Sequence, residues 1–180
     1  MDSYRCGFVA LVGRPNVGKS TILNRLVGQK VSITSQRPQT TRHRILGIKT
    51  DEQAQIVFVD TPGLHARQTR AMNRYLNRAA VDSLRDVDVV IFVVEGTRWQ
   101  EDDDWVLEKL SQLTCPVVLA INKIDRVADK TDLLPQLEVL SGKREFAELI
   151  PICAKKGDHL QQLERAVRDR LPESPPCYSE

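Results

Sequence analysis

Short apolar runs alternate with amphipathic stretches along this chain, the pattern of an α/β domain built on a largely parallel sheet. Six runs read as strands: residues 8–12, 44–49, 55–59, 87–94, 116–121 and 149–153. Most are rich in Val, Ile and Leu, as strands covered on both faces should be. Helical spacing occupies residues 19–27, 69–84, 103–113, 133–140 and 160–171. About five residues separate the second strand from the third, too few for a parallel crossover, so these two form an antiparallel hairpin. Pro172, Pro175 and Pro176 end the last helix, and residues 173–180 read as the start of a linker.

Composition narrows the class. The 180 residues are 41% hydrophobic and 28% charged, suiting one ordinary globular domain. No apolar run approaches the ~20 residues that span a bilayer, and the longest, 87–94, is broken by Asp88. The N-terminus lacks a basic stretch followed by an apolar one, so the expected address is cytoplasmic. Cys6, Cys115, Cys153 and Cys177 are far apart in sequence without a Cys-x-x-Cys pair, which argues against zinc and against a disulfide scaffold. Charge is uneven: residues 1–50 hold nine basic side chains and one acidic, so an anion belongs near the first third.

The motifs identify that anion. Gly13-Arg14-Pro15-Asn16-Val17-Gly18-Lys19-Ser20 matches Gly-x-x-x-x-Gly-Lys-Ser/Thr, directly after a strand and directly before a helix. Successive inward amides at a helix N-terminus cradle phosphate oxygens. Gly13 and Gly18 let the backbone approach, Asn16, Val17 and Thr21 flank the contact, Lys19 meets the β- and γ-phosphates, and Ser20 offers its hydroxyl to Mg²⁺. Asp60-Thr61-Pro62-Gly63 follows the third strand, where Asp60 reaches the Mg²⁺ shell and the Gly63 amide reaches the γ-phosphate.

Asn122-Lys123-Ile124-Asp125 follows the fifth strand. The Asp125 carboxylate only accepts, and so matches the paired N1–H and N2–H₂ donors of guanine that adenine lacks. Asn122 braces neighbouring loops and the Lys123 stem lies over the base. Cys153-Ala154-Lys155, after the sixth strand, brings the Ala154 amide to guanine O6. All these motifs stand beyond the carboxyl ends of strands, where open α/β sheets bind ligands. The expected architecture is a P-loop NTPase three-layer fold: a six-stranded, mostly parallel sheet with one antiparallel hairpin strand and about five helices.

With these motifs in place the chain resembles the GTPase domain of the Era family from residue 5 to about 172. Val31-Ser32-Ile33-Thr34-Ser35 running to Pro38-Gln39-Thr40-Thr41-Arg42-His43-Arg44, together with Val94-Glu95-Gly96-Thr97-Arg98-Trp99, carries the likeness. The resemblance implies that residues 29–43 are a first switch in which Thr41, or its neighbour Thr40, contacts Mg²⁺ and the γ-phosphate, and that residues 61–72 are a second. It also implies a GTPase coupled to 16S rRNA and the 30S subunit, with GTP and GDP as ligands, no transmembrane segment and peripheral contact with the inner membrane. Era-type chains continue into a KH-type RNA-binding domain, so residues 1–172 are assigned as the GTPase domain.

Hydrolysis is expected as in-line attack of water on the γ-phosphate, catalysed by Lys19, Thr41, Gly63 and Asn16 through position and charge. Related GTPases use the asparagine at position 16 to hold K⁺, although Asn16 can equally bond only to loop backbone. Ras-type GTPases place a water-orienting glutamine where this chain has Leu64, so turnover is expected to be slow. The base motif departs from the usual Ser at Cys153. Two other readings share these motifs: a passive nucleotide-gated binding module, and a related GTPase acting in tRNA modification or large-subunit assembly. Arg37, Arg42 and Arg44 offer RNA a basic segment, while the acidic run 101–104 reads as a solvated helix start.

Overall fold

The computed structural model describes residues 3–28, 44–61, 78 and 81–179. Six strands form one sheet: β1 (Arg5–Val12), β2 (Ile45–Thr50), β3 (Ala54–Val59), β4 (Val89–Glu95), β5 (Val117–Asn122) and β6 (Glu148–Pro151). Their order is β2-β3-β1-β4-β5-β6. Only the β2–β3 pair is antiparallel, the short connection leaving no other choice. Four helices have described bounds: α1 (Lys19–Val27), α2 (Glu101–Leu110), α3 (Leu133–Lys143) and α4 (Leu160–Arg168). Of the helix expected over 69–84, residues 78 and 81–84 are helical and the remainder lies outside the described residues.

Because β4 is buried along its whole length, it needs cover on both faces, and two apolar clusters provide it. Ile22 and Leu26 of α1 join Leu163, Ala166 and Val167 of α4 against one face. Val106 and Leu110 of α2, Leu140 of α3 and Leu84 cover the other. The result is three layers.

Strand ends depart from the sequence expectation for local reasons. Asp88 closes on Phe8 with both its amide, which donates to Phe8 O at 2.8 Å, and its Oδ2, which takes the Phe8 amide at 2.7 Å in place of a backbone carbonyl, and β4 starts at Val89. The sixth strand stops at Pro151 because Cys153 bridges to Asp158. α4 ends at Arg168 rather than 171, its final turn tightening into bonds from Arg170 N to Val167 O and Leu171 N to Arg168 O.

Residues 172–178 lie against the sheet. Cys6 N donates to Pro172 O at 3.2 Å, and Ser174 N donates to Tyr4 O at 3.1 Å. Gln55 holds the segment further on, its Oε1 accepting from Cys177 N (2.8 Å) and Tyr178 N (3.0 Å). This contact is at the amino end of β1, opposite the phosphate loop.

Candidate nucleotide site

β1 ends at Val12 and the chain turns through Gly13–Gly18 into α1. Gly13 has φ +155°, and a Cβ there would stand 2.6 Å from Val93 O on the neighbouring strand. Gly18 has φ +103°, and its Cβ would collide with Asn122 Nδ2. Both positions therefore exclude a side chain by close approach as well as by backbone angle. Asn16 has φ +66°, a left-handed conformation that Asn tolerates better than most residues.

Lys19 folds back over this loop, donating from Nζ to Gly13 O and, at 3.3 Å, to Arg14 O. Burial lowers its pKa to about 8, against the opposing pull of Asp60. Ser20 and Thr21 stand exposed on the first turn of α1. At the end of β3, Asp60 donates its amide to Arg44 O at 2.8 Å while its Oδ1 accepts from Thr61 N at 2.8 Å. The start of β2 is thereby tied to the Asp60 backbone. Gly63, Leu64, Thr40 and Thr41, with residues 29–43 as a whole, lie outside the described residues.

The motif expected to read the base, residues 122–125, joins the 13–18 loop through two side chains. Asn122, buried at the end of β5, donates Nδ2 to Val17 O at 2.8 Å and accepts from Ala154 N at 3.0 Å. Lys123, with φ +61°, reaches Asn16 O through Nζ at 2.6 Å. Asp125 sits exposed in the single turn Ile124–Arg126. Cys153 is buried, and its carbonyl accepts from Gly157 N and Asp158 N. The Ala154 amide expected at guanine O6 is engaged with Asn122, so a base would share that donor. Lys155 is exposed, and its carbonyl accepts from Arg25 Nη2.

One loop residue has no role in the sequence expectation. Arg14, only 7% exposed, leaves the phosphate loop inward: Nη2 reaches Glu95 Oε2 at 3.1 Å and Arg98 O at 3.3 Å, and Nε reaches Asp103 Oδ2 at 3.2 Å. Glu95 also faces Lys123 (3.9 Å) and Arg126 (3.6 Å). Asp103 is fully buried, correcting the reading of 101–104 as a solvated start. Its Oδ2 also accepts the Gln100 amide at 2.8 Å at the N-terminus of α2. Burial pushes the Asp103 carboxyl above the usual range, against the pull of that amide and of Arg14. The 13–18 loop, the 123–126 turn and α2 thus meet on one charged cluster. The only sequence signal was a Glu ending an apolar strand.

A family model described as "50S ribosome-binding GTPase" matches residues 8–123. GTPase Era of Ectopseudomonas mendocina is 56% identical over 176 residues, covering 98% of this chain and 59% of the relative. Among solved structures, a variant of Aquifex aeolicus Era bound to GDP·AlF₄⁻ superposes with a TM-score of 0.79 at 38% identity, covering 97% of this chain and 60% of that one. Era in complex with MgGDPNP and nucleotides 1506–1542 of 16S ribosomal RNA gives a TM-score of 0.80 at 37% identity, covering 98% and 60%. This chain therefore spans about 59% of the length of the curated relative. By the model match across most of its sheet, together with a likeness to Era over nearly its whole length, the chain belongs to the 50S ribosome-binding GTPase family.

Proposed function

We propose that this chain is the GTP-binding and GTP-hydrolysing part of an Era-type switch acting on 16S rRNA in small-subunit assembly. The observation that carries it is the clamp between the two ligand loops, Asn122 Nδ2 on Val17 O and Lys123 Nζ on Asn16 O. It sets a guanine-reading carboxylate and a phosphate cradle at fixed separation. The family description names the large subunit, but the Era complex with 16S ribosomal RNA supports the small one.

In this reading the loop amides and Lys19 hold the β- and γ-phosphates, and Asp125 selects guanine. Thr41 and Gly63 sense the γ-phosphate, so that switch residues are ordered by GTP and released by hydrolysis. Mg²⁺ fits the hard oxygen donors Ser20 and Asp60, with Thr41 as a further ligand, and when bound it supplies charge neutralisation at the phosphates. The Asp60 N to Arg44 O bond gives the first switch a backbone link to the metal-side carboxylate. In Era-type proteins recognition of rRNA would fall mainly to a KH-type domain, and the family resemblance adds peripheral contact with the inner membrane.

Phosphate release with GTP, alone and with the 3′ segment of 16S rRNA, tests the proposal. Slow basal turnover, well below one per second, is expected. No turnover in either condition would leave only a passive nucleotide-gated module. Asn16 is proposed to hold K⁺ beside the phosphates. Turnover should therefore be faster in potassium than in sodium, and equal rates would remove that role.

Lys19 adds a pH signature. Free protein loses the Lys19 proton above about pH 8, whereas phosphate binding favours the ammonium. GDP affinity should hold steady below pH 8 and fall towards tenfold per pH unit above it. Lys19→Met should bind weakly with no such slope, as isothermal titration from pH 7 to about 9, below the ionisation of guanine N1–H, would show.

A further inference from the structure

We propose that Cys6 and Cys177 form a redox modification site, a disulfide that staples residues 172–178 to the amino end of β1. Their sulfur atoms are 2.9 Å apart, closer than any neutral packing contact requires. Cys6 is buried in β1 and Cys177 is exposed. Sequence spacing gives no hint of the pairing, because 170 residues separate the two thiols.

The approach is held by the backbone on both sides. Pro172 O accepts from Cys6 N, Ser174 N donates to Tyr4 O, and Arg5 bridges Glu173, so the tail runs antiparallel to the start of β1. The Gln55 amide then fixes the far side: Oε1 accepts from Cys177 N and Tyr178 N, and Nε2 donates to Tyr178 O at 2.9 Å. Cys6 Sγ also faces Gln55 Oε1 at 3.6 Å. One buried glutamine therefore positions both partners.

The chemistry needs a two-electron oxidant, and a peroxide suffices. The exposed Cys177 thiolate attacks a peroxide oxygen, the O–O bond breaks, and with hydrogen peroxide one water leaves as Cys177 becomes a sulfenic acid. Cys6 sulfur then attacks the sulfenic sulfur, the Cys6 proton leaves with the hydroxyl as a second water, and the S–S bond forms. In sum, two thiols and one peroxide give one disulfide and two waters. Burial pushes the Cys6 thiol up to about 12, which assigns the first attack to Cys177 and the resolving step to Cys6. A thiol reductant reverses the bond, as suits a transient disulfide in a reducing compartment.

The test treats the 180-residue chain with hydrogen peroxide and maps its peptides without reduction. A Cys6–Cys177 linked peptide, lighter by two hydrogens and lost on adding dithiothreitol, is expected. Cys177→Ser should abolish it, and Gln55→Ala should slow its formation while leaving Cys177 sulfenic acid to accumulate. The oxidised chain should melt higher by roughly 5–10 °C, since a long loop is closed. GDP affinity should be unchanged, because the nucleotide site lies at the other end of the sheet. Cys177 carrying only sulfenic or sulfinic acid, or linkage to Cys115 or Cys153 instead, would overturn the proposal.

Discussion

Arg14→Met is expected to lower the stability of the chain by about 3 to 5 kcal/mol, the usual loss when one partner of a buried ion pair is removed. The cost comes from what remains behind. Asp103 is fully buried, its Oδ1 has no hydrogen-bond partner among the described residues, and without Arg14 its Oδ2 keeps only the Gln100 amide. Glu95 suffers less, because Lys123 and Arg126 still face it. The penalty should therefore depend on pH with a definite sign. An acid whose folded pKa is raised contributes least destabilisation below its unfolded pKa and most above its folded one. Acidification should then narrow the gap between variant and parent. Asp103→Asn should recover part of the loss in the double variant, since the buried charge is gone. Urea midpoints at pH 7.5 and pH 5 for the four proteins of this cycle measure all three terms. A loss under 1 kcal/mol for Arg14→Met would show that the cluster does not brace the fold.

The same cluster shows what sequence can and cannot reveal. The strand–loop–helix turn at 13–18 is legible because its glycines have a steric reason: Gly13 and Gly18 stand where no Cβ fits, and Lys19 folds back over the loop. The strands are legible because β4 and β5, buried on both faces, leave their apolar runs almost unbroken. Arg14 is not, since the motif treats its position as free and its partners come from 81 and 89 residues away. Asp103 was misread for a related reason: four consecutive acidic residues satisfy the helix dipole equally well, and only packing decides which turns inward. Strand ends depend on single bonds such as Asp88 to the Phe8 amide, which no periodicity encodes. Likewise the proline-containing tail carries no apolar pattern, yet it finds donors and acceptors along the start of β1, which pairs with β3 but meets β4 only from Val9 onward.

Asp125→Asn should change which base the site accepts while leaving the fold intact. Asp125 is exposed at a one-turn segment, so the substitution strands no buried group and the urea midpoint should stay within about 0.5 kcal/mol of the parent. For the ligand the change is severe. A carboxylate accepts from both N1–H and N2–H₂ of guanine, whereas an asparagine amide accepts with its oxygen and sets its own N–H₂ against the second donor. Losing one charge-assisted bond and creating a donor clash should weaken GTP and GDP binding by at least ~10²-fold. Xanthine carries an N1–H donor and a carbonyl at position 2, the complement of an asparagine amide. Xanthosine triphosphate should therefore bind the variant better than GTP does, and be hydrolysed at the parent's GTP rate because Lys19 and the loop amides are untouched. Competition binding of GTP, ATP and xanthosine triphosphate to parent and variant reads this directly. A variant that still prefers GTP would remove Asp125 from base recognition and leave the clamp formed by Asn122 and Lys123 without a specificity to serve.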